Sequence, residues 1–415
     1  MKIRDTRIFA FFKKRKDTFI IGTKKLMFII PMIFALLGLV LVVVSFARMQ
    51  QIKASQTAQL AAETWQADTK QTYDQITCIA RGQDQTSGPD LYIDSSVSLN
   101  VSDLEAIRKS IDLTVASYEK DSKNTDDSDT PIWIDAYSAS TKGTVGVADE
   151  TGNVSSIIDT EIYGVGGSYS EFHPTNLISG CFLTEEKHSP YNIVLDEALA
   201  WKLFSSNDVI GQKVMVGSLT YTVVGVVAPS ENEINEKSYG EYPKAYIYFD
   251  ELTNFLTTQS SADASQAGSA SGLSQDASDS LSQIAITCYE VLVPENISGV
   301  SLNNLSLAIS TYSKSEHNFL LIDNTNRFSL MNLYDTFFPL GDNTIWKTDF
   351  PLPYWEVSAQ NAEIYMLYWY FVLFIGITLV AGNGVGIYHA FRKKGVFRST
   401  DPIRLISKKE EELIV

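Results

Sequence analysis

The chain is 415 residues long, 45% hydrophobic and 20% charged, with 33 Lys+Arg against 49 Asp+Glu. That composition belongs to a folded protein with a sizeable core and excludes wholesale disorder. A formal net charge of -16 argues against a nucleic-acid partner, which asks for a basic surface. The charge is also segregated, because nine Lys/Arg lie in residues 1–25 and seven more follow Phe391, leaving the chain between them strongly acidic.

After the basic stretch 1–25, residues 26–47 run for 22 positions without a charge. As a helix rising 1.5 Å per residue that segment is about 33 Å long, enough to cross hydrocarbon. Pro31 falls in its first turns, where a missing N–H costs little. Ser45 and Ala47 make a small-x-small pattern like a signal-peptidase site, but the basic and apolar stretches are both longer than those of a secretory signal. A second span is predicted at 364–388, with Tyr365, Tyr368, Trp369 and Tyr370 as an interfacial belt and Arg392, Lys393 and Lys394 at its other end. Positive-inside counting then places the N-terminus and the tail 392–415 in the cytoplasm and 48–361 outside a cell membrane crossed twice. In the second span Gly382 and Gly386 flank Asn383, a small-xxx-small pattern that admits a neighbouring helix, although glycine is common in membrane helices in any case.

The outer segment begins with a predicted helical stalk carrying Met49, Ile52, Leu60, Trp65 and Ile76. Ser102 and Glu105 read as a capping box ahead of an amphipathic helix with Leu104, Ile107, Ile111, Val115 and Tyr118. A polar loop, 123–130, precedes a strand near 131–137. Asp196 is placed to cap a short helix through Leu199 and Leu203. Val214–Val216, the turn Gly217-Ser218 and Thr220–Val227 then read as a hairpin, with further strands at 245–249 and 284–293. Residues 257–283 hold nine serines and no basic residue, and are expected to be a disordered insertion. The fold expected is an α+β extracytoplasmic domain in two lobes, mixed sheets with short helices, flanked by two transmembrane helices.

Motifs for chemistry are few. There is no Gly-Lys pair for a phosphate loop, Gly164-Val165-Gly166-Gly167 lacks the third spaced glycine of a dinucleotide site, and the four histidines (His173, His188, His317, His389) show no metal spacing. No catalytic, cofactor-binding or metal residue is therefore assigned, and the chain is not expected to be an enzyme. The three cysteines leave at least one thiol free, and Cys78 and Cys288, both in strand-like runs, are read either as a disulfide or as buried thiols.

An ordered set of runs stands out between Tyr163 and Val227: Gly164–Tyr169, Leu177–Phe182 with Gly180 ahead of Phe182, Val194–Ala200 leading to Leu203-Phe204, Ile210–Val214, and Tyr221–Val227. It resembles the extracytoplasmic core of MacB-type and FtsX-like ABC permeases; Asp103–Arg108 and Leu352–Glu356 extend the resemblance more weakly. The resemblance implies an outer domain moved by membrane helices as a cytoplasmic ABC ATPase cycles. One span follows the outer segment here where such permeases usually have three, so a shortened form is expected. Its expected partners are an ATPase, a fuller permease subunit and membrane lipid, with a two-pass scaffold or sensor for an extracellular partner as the alternative.

Overall fold

The structure, a computed structural model, describes residues 3–69, 72–80, 99–119, 133–148, 154–184, 189–229, 232–252, 254, 285–295, 303, 305, 319–337, 350 and 352–393. The Ser-rich stretch 257–283, the polar loop 123–130 and nearly all of the basic tail lie outside the described residues. The chain divides into two compact units, one of residues 1–52 with 364–415 and one of 53–363.

The first unit is made from two long helices, α1 (Ile3–Ser55) and the helix that ends the described chain, Tyr354–Lys393. Their stretches Ile29–Ser55 and Tyr354–Gly386 are long and apolar enough to span a membrane. Within this unit the helices approach backbone to backbone at Gly38 and Gly376. A Cβ added at Gly38 would stand 2.8 Å from the Gly376 carbonyl oxygen, and one at Gly376 would stand 2.9 Å from the oxygen of Gly38. Only glycine permits that approach, the device expected of helices packing in lipid.

The outer unit is built on one mixed sheet. Its elements in chain order are α2 (Ala61–Thr69), β1 (Tyr73–Ala80), α3 (Val101–Glu119), β2 (Ile134–Ala148), β3 (Val154–Gly167), α4 (Tyr169–Phe172), β4 (Asn176–Gly180), β5 (Asn192–Asp196), α5 (Glu197–Phe204), β6 (Lys213–Val216), β7 (Leu219–Ala228), α6 (Glu233–Ser238), β8 (Lys244–Tyr248), β9 (Cys288–Pro294), β10 (Phe319–Asp323) and α7 (Leu330–Phe337); the closing helix is α8. Strand order is β10-β1-β9-β2-β3-β8-β5-β7-β4, and β6 pairs with both β2 and β7, closing the middle of the sheet into a ring. The pairings β3·β8 and β5·β7 are parallel and the others antiparallel.

Strand alternation sends side chains to two apolar layers. One holds Ile107 and Ile111 of α3, Leu199 and Leu203 of α5, and Val214 and Val216 of β6. The other holds Ala61 and Ala62 of α2, Tyr169 and Phe172 around α4, and Trp355 of α8. The same alternation decides the cysteines. Cys78 pairs with Tyr289 and Ile79 with Cys288, so the two thiols point to opposite faces of the sheet, Cys78 into the first layer and Cys288 into the second. The bridge considered from sequence is not formed; both thiols are free and buried, and burial raises both above the ordinary thiol value.

Three other expectations change in detail. α3 is capped by Asn100, not Ser102: the Asn100 Oδ1 accepts from the Asp103 amide at 2.9 Å while Asp103 Oδ2 accepts from the Asn100 amide at 3.1 Å. This reciprocal cap starts two residues earlier because Leu99 is fixed in a bridge to Ile286. The stalk is short, since α1 ends at Ser55 and Ile76 lies in β1. β2 runs on to Ala148, far past the strand read at 131–137, because its partner β3 supports it through a long hairpin. The Asp196 cap is as expected, with its carboxylate accepting from the Leu199 amide at 2.7 Å, and so are the turn at Gly217 and its two strands.

Candidate functional site where the chain enters and leaves the outer domain

The chain enters the outer unit at the end of α1 and leaves it through the first turns of α8, and both ends are fastened to the same place. Gln56 Nε2 donates to Asn235 Oδ1 of α6 at 3.0 Å, Asn235 Nδ2 donates to the Ser55 carbonyl at 2.9 Å, and Ser358 Oγ of α8 donates to Gln56 Oε1 at 3.1 Å and also meets Asn235. Gln59 Nε2 donates to the Trp355 carbonyl at 3.2 Å, and Asn361 Nδ2 reaches Ser238 Oγ at 3.2 Å. A small cavity of about 110 Å³ remains beside these groups, bordered by His173, Tyr246 and Trp355 among others.

Deeper in, Arg327 clamps α8. Its guanidinium donates to both oxygens of Glu356, at 2.8 and 2.7 Å, to Glu363 at 2.5 Å and to Asn324 at 2.9 Å. Arg327, Glu356 and Glu363 are all buried. Burial opposes the charge on Arg327, but the two carboxylates outweigh it and hold the guanidinium above its ordinary value. The polar path continues inward: Asn324 Nδ2 donates to Thr77 Oγ1 at 2.8 Å, Thr77 to Glu290 at 3.3 Å, and Glu290 pairs with His173. The His173 ring lies 4.3 Å from that of Trp355, so the path that leaves α8 at Glu356 returns to α8 one residue away.

On the other side of Tyr354 lies a fully buried lysine. Lys244 Nζ donates to Glu161 at 2.5 Å and sits 4.4 Å from the ring centroid of Tyr239, 5.0 Å from that of Tyr354 and 5.6 Å from that of Tyr163. The ion pair and the three ring faces compensate the lost hydration of the ammonium. Burial raises the phenols of Tyr163 and Tyr239 well above their ordinary value, so the rings stay neutral. Residues 354–363 thus carry aromatic, ionic and hydroxyl contacts into the sheet, and the arrangement suits a mechanical joint. Among the described residues there is no His/Cys/Asp/Glu cluster that would hold a metal.

Sequence reasoning reached α8 but not this joint. Gly382, Asn383 and Gly386 lie well beyond it on α8; a Cβ at either glycine meets nothing within 4 Å, and the Asn383 amide donates to the Leu379 carbonyl of its own helix at 2.8 Å. The glycines that do pack are Gly38 and Gly376. Glu356 and Glu363 carried one usable signal, being seven residues apart and so on one helix face beside a membrane span, where a carboxylate requires a partner.

An α+β domain flanked by two helices long and apolar enough to cross a membrane is what this fold defines. The MacB-like periplasmic core domain family matches residues 32–290, more than half of the chain, and the protein belongs to that family. Its two long apolar helices and this domain make it a membrane protein with an extracytoplasmic domain of that family. Among solved structures, the periplasmic region of MacB from Actinobacillus actinomycetemcomitans is 18% identical over 61% of this chain and 89% of that one, with a TM-score of 0.36. The extracellular domain of the noncanonic ABC-type transporter YknZ from Gram-positive bacteria is 12% identical over 60% of this chain and 99% of that one, with a TM-score of 0.34. No curated protein matches.

Proposed function

We propose that the protein is a non-enzymatic, permease-like subunit of a MacB/FtsX-type ABC transporter, in which the outer domain is driven through its two membrane helices. On this reading both termini are cytoplasmic, and a cytoplasmic ATPase with a fuller permease subunit supplies the motion. The open Gly382–Asn383–Gly386 face of α8 is where a partner helix would pack. The observation that carries the reading is the joint: Arg327 binds Glu356 and Glu363 along two turns of α8, so displacement of that segment is passed to β1 and β9 through Asn324, Thr77 and Glu290 without a flexible link. Buried polar networks held by several ion-pair and hydrogen-bond contacts have few alternative arrangements, which suits force transmission.

The test is affinity purification of the tagged full chain from its native membrane in mild detergent, with mass spectrometry of what accompanies it. Recovery of an ATPase with a multi-span permease in fixed ratio supports the proposal. Recovery of envelope proteins alone, or of nothing, refutes it and leaves a two-pass scaffold.

A further inference from the structure

A cleft of about 490 Å³ lies between α3, the start of β2, the end of β3 and the end of β8, all within the outer unit. Small-molecule sites run from about 300 to 1,000 Å³, so the cleft has the size of one. Among the described residues that border it, three carboxylates, Asp112, Asp135 and Asp250, face a single cation, Arg108. Trp133, Tyr137 and Phe249 supply aromatic walls.

One part of the cleft already holds a planar cation, and that cation is the protein's own. Arg108 donates through Nε to Asp135 Oδ2 at 2.6 Å and through Nη2 to Oδ1 at 2.8 Å, and its guanidinium lies 5.5 Å from the centroid of the Tyr137 ring. Hydrogen bonding to Asp135 holds that guanidinium above its ordinary value. Tyr137 is fixed in place, edge to face with Phe249 at 5.2 Å between centroids and so close to Gly166 that a Cβ there would collide with the ring. The Tyr289 hydroxyl also donates to Asp135, at 3.2 Å, so this carboxylate is engaged inside the protein.

Asp112 and Trp133 repeat the acid and the ring without the cation. Asp112, four residues after Arg108 on α3, is exposed and accepts from Trp133 Nε1 at 2.9 Å. That bond uses one of about four acceptor sites on a carboxylate. Among the described residues no Lys, Arg or His is paired with it. Trp133 is tied to Asp112 by its N–H and packs its body on the first apolar layer, so acid and ring are placed before a ligand arrives. Such preorganisation lowers the ordering cost of binding. A planar, forked cation matches the pair, because two parallel N–H donors engage a carboxylate while the flat body lies along the aromatic wall.

We infer that this cleft binds a small organic cation, an amidinium or guanidinium on an apolar body, with Asp112 taking the charge and Trp133 lying along the body. The inference rests on the outer unit alone and stands whether or not the protein serves a transporter.

The experiment titrates the full chain in nonionic detergent with benzamidine and reads binding by saturation-transfer NMR against protein-free micelles. Benzamidine should saturate with a Kd of about 1 mM or tighter, as suits a ligand of so few atoms. Its uncharged isostere benzamide should bind at least about tenfold more weakly. Asp112→Asn, whose amide oxygen still accepts from Trp133, should weaken benzamidine at least about tenfold. Glu241→Gln, at an exposed acid outside the cleft, should leave binding unchanged. The location is tested separately in a Cys181→Ser chain, which lacks the one exposed thiol: Thr184→Cys, at an exposed position bordering the cleft, is alkylated with a bulky maleimide and should lose binding. The inference is overturned by benzamidine that fails to saturate below about 10 mM, by benzamide that binds equally well, or by an Asp112→Asn protein that binds like the wild type. It is overturned equally by the same loss in Glu241→Gln, which would trace binding to the general acidity of the chain, or by binding that survives alkylation at position 184. Should Asp112→Asn fail to fold, the benzamide comparison and the alkylated protein decide the matter.

Discussion

Replacing Arg327 tests the joint directly. Arg327→Met keeps the length and apolar stem of the side chain but leaves Glu356 and Glu363, 1% and 4% exposed, without a counter-charge. Stripping one partner from a buried ion pair costs about 3–5 kcal/mol, most of it the desolvation of the charge left behind. With an unfolding entropy of about 2 cal/mol/K per residue over roughly 300 residues, a loss of about 4 kcal/mol lowers Tm by about 6 °C. The two orphaned carboxylates, two turns apart on one helix face, also repel each other, so the loss should concentrate in the first turns of α8. The triple variant Arg327→Met, Glu356→Leu, Glu363→Leu removes all three charges and should recover most of that loss, because a whole buried ionic triad can be exchanged for apolar packing at little net cost. Thermal melts of the full chain in detergent give Tm, and amide hydrogen exchange over 355–363 localises the effect. A single variant that melts like the wild type, or a triple variant that melts below the single one, would show that the clamp is not what fixes α8.

Further outcomes follow from other parts of the structure. Gly376→Leu drives a side chain against the Gly38 carbonyl and should cost roughly 1–3 kcal/mol of helix pairing, read as lost cysteine cross-linking between α1 and α8; Gly382→Leu, with nothing within 4 Å, should leave that cross-link intact and weaken only co-purification of a partner. Maleimide should label the native protein at Cys181 alone and all three cysteines in denaturant, and a linked Cys78–Cys288 peptide would contradict the opposed faces of β1 and β9. Burial raises the Asp196 carboxyl above 3.8, against hydrogen bonds from Lys244, Leu199 and Tyr239. A raised folded value means that stability from this group is fully present below about pH 3.8 and is lost as pH rises through the raised value. Asp196→Asn should therefore flatten the fall in Tm across that window, and an unchanged slope in the variant would assign it to another group.

The sequence made the periodic parts legible and hid the long-range ones. The hairpin around Gly217, the Asp196 cap and the apolar spans are written in neighbouring residues, where alternation, capping chemistry and length speak for themselves. Cys78 and Cys288 show the limit: both lie on adjacent strands as their local pattern allowed, but a single residue of register decides whether two thiols meet, and register is set by the whole sheet. The joint is further out of reach. Arg327 is 29 and 36 residues from its carboxylates, and Glu290 is 117 from His173, so no spacing rule connects them.

What local sequence does carry is the cost that forces such contacts to exist. Glu356 and Glu363 stand on one face of a helix about to enter hydrocarbon, and Lys244 follows a proline into a central strand; each charge is intolerable there without a partner. Each cluster includes a partner at the first turns of α8: Arg327 holds the glutamates that stand on them, and the Tyr354 ring lies 5.0 Å from the lysine, whose ion pair is with Glu161 on the neighbouring strand. Both charge clusters therefore lose a partner if that segment shifts, and the Arg327 cluster, buried throughout, cannot relax into water. On the proposed reading, a joint with that property would follow its helix as a rigid body until it breaks, which would separate a transmitting element from a passive tether and makes Arg327 the residue to change first.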